Sequence, residues 1–259
     1  MNANGPGVDG VAPGALAARW GAPVCEWRAA LGSTFDLLHE RAAHGAPAGS
    51  VVLADTQTAG RGREGRSWFS PPGGIWLGVL YRPGAAGFHP GVTAIRIGLA
   101  IADAVDAQSR GVRGTPAAQL KWPNDVLLRD RKLAGVLCEA RWQGDTLLWL
   151  AAGIGINVTN AIPPAVAATA IALAEVVPWV RRIDVLDHLV PALLDLPTSP
   201  RLAPPECARF TARDWLKGRA LERPRAGRAA GIEADSALRI EAAGTGDVVL
   251  AREGSVTLA

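Results

Sequence analysis

The sequence predicts an α+β fold that ends in a small all-β unit, and three observations carry that expectation. Short β-rich runs at 50–55 (SVVLAD) and 74–81 (GIWLGVLY) are interleaved with segments of helical periodicity. Hydrophobic residues make up 49% of the 259 positions, enough to pack a core and too many for a disordered chain. From 218 onward, short apolar runs alternate with Gly and Asp turns, as in a small β-barrel or sandwich.

Taken in order, residues 1–15 are rich in Gly, Pro and Asn and are expected to form a flexible tail. Residues 33–36 have the spacing of a capping box and open a helix that Gly45 and Pro47 stop. Between the first two strands lies a connection dense in Gly, Arg, Ser and Pro, and structureless connections of that length are usually functional or disordered. Residues 92–107 read as an apolar helix. Residues 119–122, 132–142 and 146–152 then read as strands, with Gln143-Gly144-Asp145 turning between the last two. The apolar stretch 161–180 has Glu175 as its one charge; its three prolines and many alanines argue against a membrane span, and a buried helix is expected there. A Pro-rich connector at 196–206 leads to a short helix at 207–216. These boundaries divide the chain into the tail, a larger unit at 16–200, and a linker helix with a β unit at 201–259.

Composition narrows the function classes. A formal charge of +3 is too weak a field to indicate nucleic acid by itself. Cys25, Cys138 and Cys207 are too few and too scattered for a disulfide framework or a metal cage, which fits a reducing cytoplasm. The N-terminus has no basic start followed by an apolar stretch, so it does not read as a signal peptide. Only Lys121, Lys132 and Lys217 among 27 basic residues are lysine, which makes each worth locating.

Three motifs carry chemistry. Residues 60–65 (GRGREG) satisfy G-x-G-x-x-G, yet no helical pattern follows and 80–83 hold no acid for a ribose, so a dinucleotide fingerprint is excluded; Gly-Lys-Ser/Thr is also absent. What remains is a loop in which Arg61, Arg63 and Arg66 outweigh Glu64 and glycines expose N–H groups to an anion. It reads as a phosphate or acyl-phosphate clamp, or as a solvated loop. Trp68 and Phe69 fit the second alternative poorly, because large apolar groups bury or stack. Next, Lys121-Trp122-Pro123-Asn124-Asp125 and Arg131-Lys132-Leu133-Ala134-Gly135 flank an apolar run. A hairpin turning near Asp130 would bring both clusters together, with Lys132 placed to meet developing negative charge; a plain surface hairpin is the alternative. Last, Gly153-Ile154-Gly155-Ile156-Asn157 ends a strand with glycines that permit close backbone approach or a tight bend. His39, His44, His89 and His188 have no spacing that suggests a site.

In combination and in order, Ser33-Thr34, Gln57, GRGREGRSW, KWPND, RKLAG and GIGIN resemble the biotin protein ligase family, over 33–157. The arginine loop with Trp68 and the pair KWPND and RKLAG are the specific part. The resemblance implies a mixed β-sheet with helices on one face and a small C-terminal β-barrel. It also implies two steps: ATP and biotin form biotinyl-AMP, and a lysine of a biotin carboxyl carrier protein then takes the biotinyl group. By motif position, Arg63 and Lys132 are implied as catalytic. Ser33, Thr34, Gln57, Gly60, Arg61, Gly62, Arg63, Lys132, Gly135, Gly153 and Gly155 are implied to bind biotin. Arg63, Arg66, Trp68, Asn124, Asp125, Lys132 and Asn157 are implied to bind ATP, with Mg²⁺ held mainly by phosphates. A homodimer through the central sheet also follows from the resemblance. The sequence departs from the pattern at Phe35, where the family usually has a polar residue. Only 32 residues precede Ser33, fewer than a winged-helix DNA-binding domain needs, so a ligase without repressor activity is expected. Lipoate or octanoate ligases and transferases share the fold and a lysine motif, and a non-catalytic biotin sensor is a third reading.

Overall fold

Two β-sheets organise the chain in the computed structural model, which describes residues 7–83 and 88–259. The larger has seven strands in the order β1 (Cys25–Leu31), β2 (Val51–Gln57), β3 (Ile75–Tyr81), β7 (Thr146–Ile156), β6 (Arg131–Gln143), β5 (Asp125–Leu128), β4 (Gln119–Lys121). Only β1 and β2 run parallel, so the sheet is mixed as expected. Its side chains alternate between two faces. Val51, Leu53, Ile75, Leu77 and Val79 join one apolar cluster with α3 (Pro90–Ser109) and α4 (Arg182–Leu194). Val52 and Leu80 join another with Phe35, Leu38 and Ala42 of α2 (Thr34–Ala43). The expectation of helices on one face therefore holds for α3 and α4, while α2 packs on the other. Because α2 is only ten residues long, it leaves part of its face open, and the site lies there.

Three further expectations are corrected. Residues 161–180 form no continuous helix; they contain only two 3₁₀ turns, Pro164–Val166 and Leu173–Glu175. Pro163, Pro164 and Pro178 lack N–H donors, and the remaining backbone finds partners in the large sheet: Lys132 N–H donates to Thr169 O and Ile171 N–H to Lys132 O. The flexible tail expected at 1–15 does not extend over 7–15. Residues 1–6 lie outside the described residues, but Val8 and Val11 pair, Asp9 binds the Arg182 guanidinium, and α1 (Pro13–Trp20) begins with proline in the first-turn position it favours. The C-terminal unit is not a closed barrel. It is a five-stranded open sheet, β11 (Val248–Ala251), β10 (Leu238–Ala242), β9 (Gly227–Ile232), β8 (Ala220–Arg223), β12 (Thr257–Leu258), and edge strands of four and two residues are too short to close it. The linker helix α5 runs Pro204–Arg213, starting earlier than expected because proline initiates it. β1, α1 and α4 had no distinct sequence signal.

Candidate active site

Two local devices place the basic clusters. The β5–β6 hairpin turns at Arg129 and Asp130, both left-handed (φ 52° and 59°), so the two motif segments pair as the sequence suggested. A bulge follows: Val126 opposes Ala134 but Leu127 opposes Lys132, leaving Leu133 as the extra residue. Leu133 and Ala134 both enter the core, so the alternation slips by one and Lys132 emerges on the open face beside Gly135. Its Nζ lies 2.6 Å from Asp125 Oδ1 and 5.0 Å from the centre of the Trp68 ring.

The open face is glycine-floored. Gly153 and Gly155 alternate onto it from β7, and Gly135 sits opposite Gly155 on β6. A Cβ at Gly155 would stand 2.6 Å from Trp68 Cε2 and Nε1, and one at Gly135 2.9 Å from Trp68 Cζ3. The Trp68 indole therefore lies directly over both glycines, and its Nε1 is buried without a hydrogen-bond partner among the described residues. Phe35, 2% exposed, covers Gly153 in the same way: its ring has turned into the α2 cluster while its N–H donates to Ser33 Oγ at 3.2 Å. Ser33 thus caps α2.

The arginine loop closes the other side. Thr34 N–H and Oγ1 both donate to Gln57 Oε1 (2.8 and 2.9 Å), and Gln57 Nε2 donates to Ser70 Oγ (2.8 Å), which ties α2 to the loop's return strand. Trp68 N–H donates to Gly60 O and Gly62 N–H to Arg66 O, making the loop a narrow hairpin. Arg61 reaches back to Asp36 (2.8 Å) and Glu139 (3.1 Å), its guanidinium over Phe35, whereas Arg63 points inward to Asn124 Oδ1 (3.4 Å). At the tip, Glu64 accepts from Ser255 Oγ (2.9 Å), so the C-terminal sheet also touches the loop.

The cavity measures about 640 Å³, within the range of small-molecule sites. Fifteen of the sequence-predicted site residues line it: Ser33, Thr34, Gln57, Arg61, Gly62, Arg63, Arg66, Trp68, Asn124, Asp125, Lys132, Gly135, Gly153, Gly155 and Asn157. Gly60 does not line it. A Cβ there would fall 2.3 Å from Trp68 O, so this glycine allows the hairpin to close and does not face a ligand. The sequence reading passed over Lys121, Trp215 and Ser255, which also line the cavity. Lys121 had a signal in its motif; the other two lie outside any motif.

Residues 30–157 match the Biotin/lipoate A/B protein ligase family. The biotin--[acetyl-CoA-carboxylase] ligase of Mycobacterium tuberculosis is 42% identical over 135 residues, 50% of this chain and 47% of that protein. The bifunctional ligase/repressor BirA of Bacillus spizizenii is 36% identical over 131 residues, 50% and 39% respectively. The chain thus spans less than half the length of these curated relatives. Among solved structures, the Aquifex aeolicus biotin protein ligase in complex with biotin and ATP superposes with a TM-score of 0.74 at 26% identity, covering 90% of this chain and 98% of that one. Residues 30–157 thus form a Biotin/lipoate A/B protein ligase family domain.

Proposed function

We propose that the chain activates biotin with ATP, forming biotinyl-AMP and pyrophosphate, and transfers the biotinyl group to a lysine of a biotin carboxyl carrier protein. The observation that carries this is the convergence of the bulge-directed Lys132 and the inward Arg63 on a glycine floor roofed by an indole. A carboxylate and a phosphate repel each other, and two fixed cations between them offset that repulsion where charge develops. Gly135 and Gly155 carry the Trp68 ring and Gly153 carries the Phe35 ring, and a flat apolar bicycle would pack against these rings. Ser33, Thr34 and Gln57 offer hydrogen bonds at its far end, and Arg61 with Gly62 closes the loop over it. Arg66, Trp68, Asn124, Asp125 and Asn157 fall at the nucleotide end, where the unpartnered Trp68 Nε1 is a donor for a ligand oxygen or nitrogen.

No group of three metal-ligating side chains exists among the described residues; Mg²⁺ would be held mainly by triphosphate oxygens, with Asp125 and Asp130 the carboxylates that line the cavity. In this reading residues 16–200 hold acid and nucleotide, and residues 201–259 close the edge. Three free cysteines accord with a reducing compartment, and no described helix is long and apolar enough to cross a membrane.

The test is acid-dependent exchange of labelled pyrophosphate into ATP, with biotin, lipoate and octanoate in parallel. Exchange with biotin that Lys132→Ala lowers by about 10²- to 10³-fold is expected. Exchange only with lipoate or octanoate would move the chain to the neighbouring branch of the family, and no exchange with any acid would leave a sensor.

A further inference from the structure

Residues directly opposed on neighbouring strands point to the same face of a sheet, and one such row crosses the site. Gly155 opposes Gly135, Gly135 opposes Asp125, and Asp125 opposes Lys121 on the edge strand β4. The row therefore reads, from the interior of the sheet outward, as a two-glycine floor, then Asp125 with Lys132 bound to it, then Lys121. Lys121 lines the cavity and is half-buried, yet it makes no ion pair among the described residues, because Asp125 is taken by Lys132 at 2.6 Å. Its ammonium faces the Trp215 ring. That indole lies 5.4 Å from Nζ, donates to Asp130 Oδ1 (2.6 Å) and is stacked by Arg219 at 4.0 Å, while Trp215 N–H donates to Leu120 O (2.9 Å). A half-buried indole between the two sheets thus orients an ammonium that has no carboxylate partner among the described residues.

Displacement at phosphorus places the attacking and leaving oxygens in line on opposite sides. With the acid against the rings that cover the glycines and the phosphorus beside Lys132, the leaving group lies farther along the row, toward β4. We propose that Lys121 binds the β- and γ-phosphates of ATP and takes up the charge of pyrophosphate as it departs. This rests on the acid-activation reading above. A carboxylate oxygen forms a bond to the α-phosphorus, the bond from that phosphorus to the bridging oxygen breaks, and the electron pair passes to pyrophosphate; no proton moves. Burial is the main influence lowering the Lys121 pKa; Asp125 opposes it, while the nearby Lys132 and Arg66 charges add to it, and a bound polyanion would favour the charged form.

The experiment separates the two half-reactions in the full chain. Lys121→Met and Lys121→Arg would be assayed for biotin-dependent pyrophosphate exchange, with KM for ATP and pyrophosphate, and for transfer from supplied biotinyl-AMP to a carrier protein. Lys121→Met is expected to lose about 10- to 100-fold in exchange, the range of one charge-assisted hydrogen bond, with KM for pyrophosphate raised. Transfer should be unchanged, which also shows that the variant is folded, and Lys121→Arg should restore most of the exchange. Exchange at wild-type level in Lys121→Met, or an equal fall in exchange and transfer, would overturn the assignment. A wild-type chain that exchanges with no acid would overturn the activation reading itself, and Lys121's role with it.

Discussion

Lys132 Nζ meets Asp125 Oδ1 at 2.6 Å across neighbouring strands, and it does so only because Leu133 is an extra residue in β6. Without that bulge the lysine would follow Ala134 into the core. The carboxylate holds the ammonium in one place, and the Trp68 indole at 5.0 Å covers it from above. Removing the ammonium by Lys132→Ala is expected to lower biotin-dependent pyrophosphate exchange by about 10²- to 10³-fold, the cost of deleting one preorganised electrostatic stabiliser. Asp125→Asn should cost less, since the positive charge stays while its anchor weakens. Exchange rates at saturating biotin and ATP decide the order.

The glycine floor gives a second, graded expectation. A methyl at Gly155 would fall 2.6 Å from two indole atoms of Trp68, and one at Gly135 would fall 2.9 Å from another. Both force the ring to move, Gly155 more so. Gly155→Ala should raise the KM for biotin at least about tenfold, the scale of one mispacked group in a pocket, and Gly135→Ala should raise it less, with far-UV circular dichroism unchanged in both. Equal KM values in wild type and Gly155→Ala would show that the indole does not define the slot.

A third expectation concerns the connection between the two sheets. Arg96, 3% exposed, donates to both carboxylate oxygens of Glu206 (2.7 and 3.0 Å) and to the carbonyls of Pro197, Ser199 and Arg201, so one guanidinium organises the Pro-rich connector. Glu206→Gln leaves that charge buried and unpaired, and should cost about 3–5 kcal/mol in denaturant unfolding. The Arg96 hydrogen bond is the main influence holding the Glu206 pKa below its ordinary value of 4.5. The carboxylate's contribution is therefore present above that value and lost as pH falls through the folded pKa, a loss the variant should not show.

The parts of this site legible in the sequence are those where a residue type has one physical use. Two lysines in a chain of arginines, glycines that end a strand, and a tryptophan inside a polar loop each point to chemistry, and the hairpin at Asp130 follows from turn composition. The bulge at Leu133 is not legible, because it depends on which of two adjacent apolar residues the core accepts. Nor is the role of Trp215 or Ser255: both reach the cavity through the packing of the second sheet, at a sequence distance no local pattern spans. The stretch at 161–180 misleads for a related reason, since 161–170 are largely exposed and the buried residues from Ile171 on are held by backbone pairing with Lys132 and Asn157 and not by a helix of their own. Gly60 shows the converse, a motif glycine whose freedom serves the loop's own closure.

His39 supplies the last expectation, a pH dependence of stability that starts beside the site. Its Nδ1 accepts a hydrogen bond from Trp149 Nε1 (3.0 Å), its ring stands edge-on to Phe35 at 4.8 Å, and its Nε2 is buried without a hydrogen-bond partner among the described residues. Burial is the largest influence and pulls its pKa below 6.5. Glu139 and Asp36 oppose that pull, while Arg61 and Arg141 add to it. The unfolded chain therefore binds the proton more readily than the folded one. The stabilisation from neutral His39 is complete above about pH 6.5 and is lost as pH falls through the folded pKa. Protonation also removes the acceptor that Trp149 uses, loosening α2 where Phe35 covers Gly153. The melting temperature should accordingly fall between pH 7.5 and 5.5, and His39→Gln, whose amide oxygen can accept from Trp149 without titrating, should flatten that fall. Scanning calorimetry of both proteins across the interval measures it, and parallel curves would show that His39 carries none of the dependence.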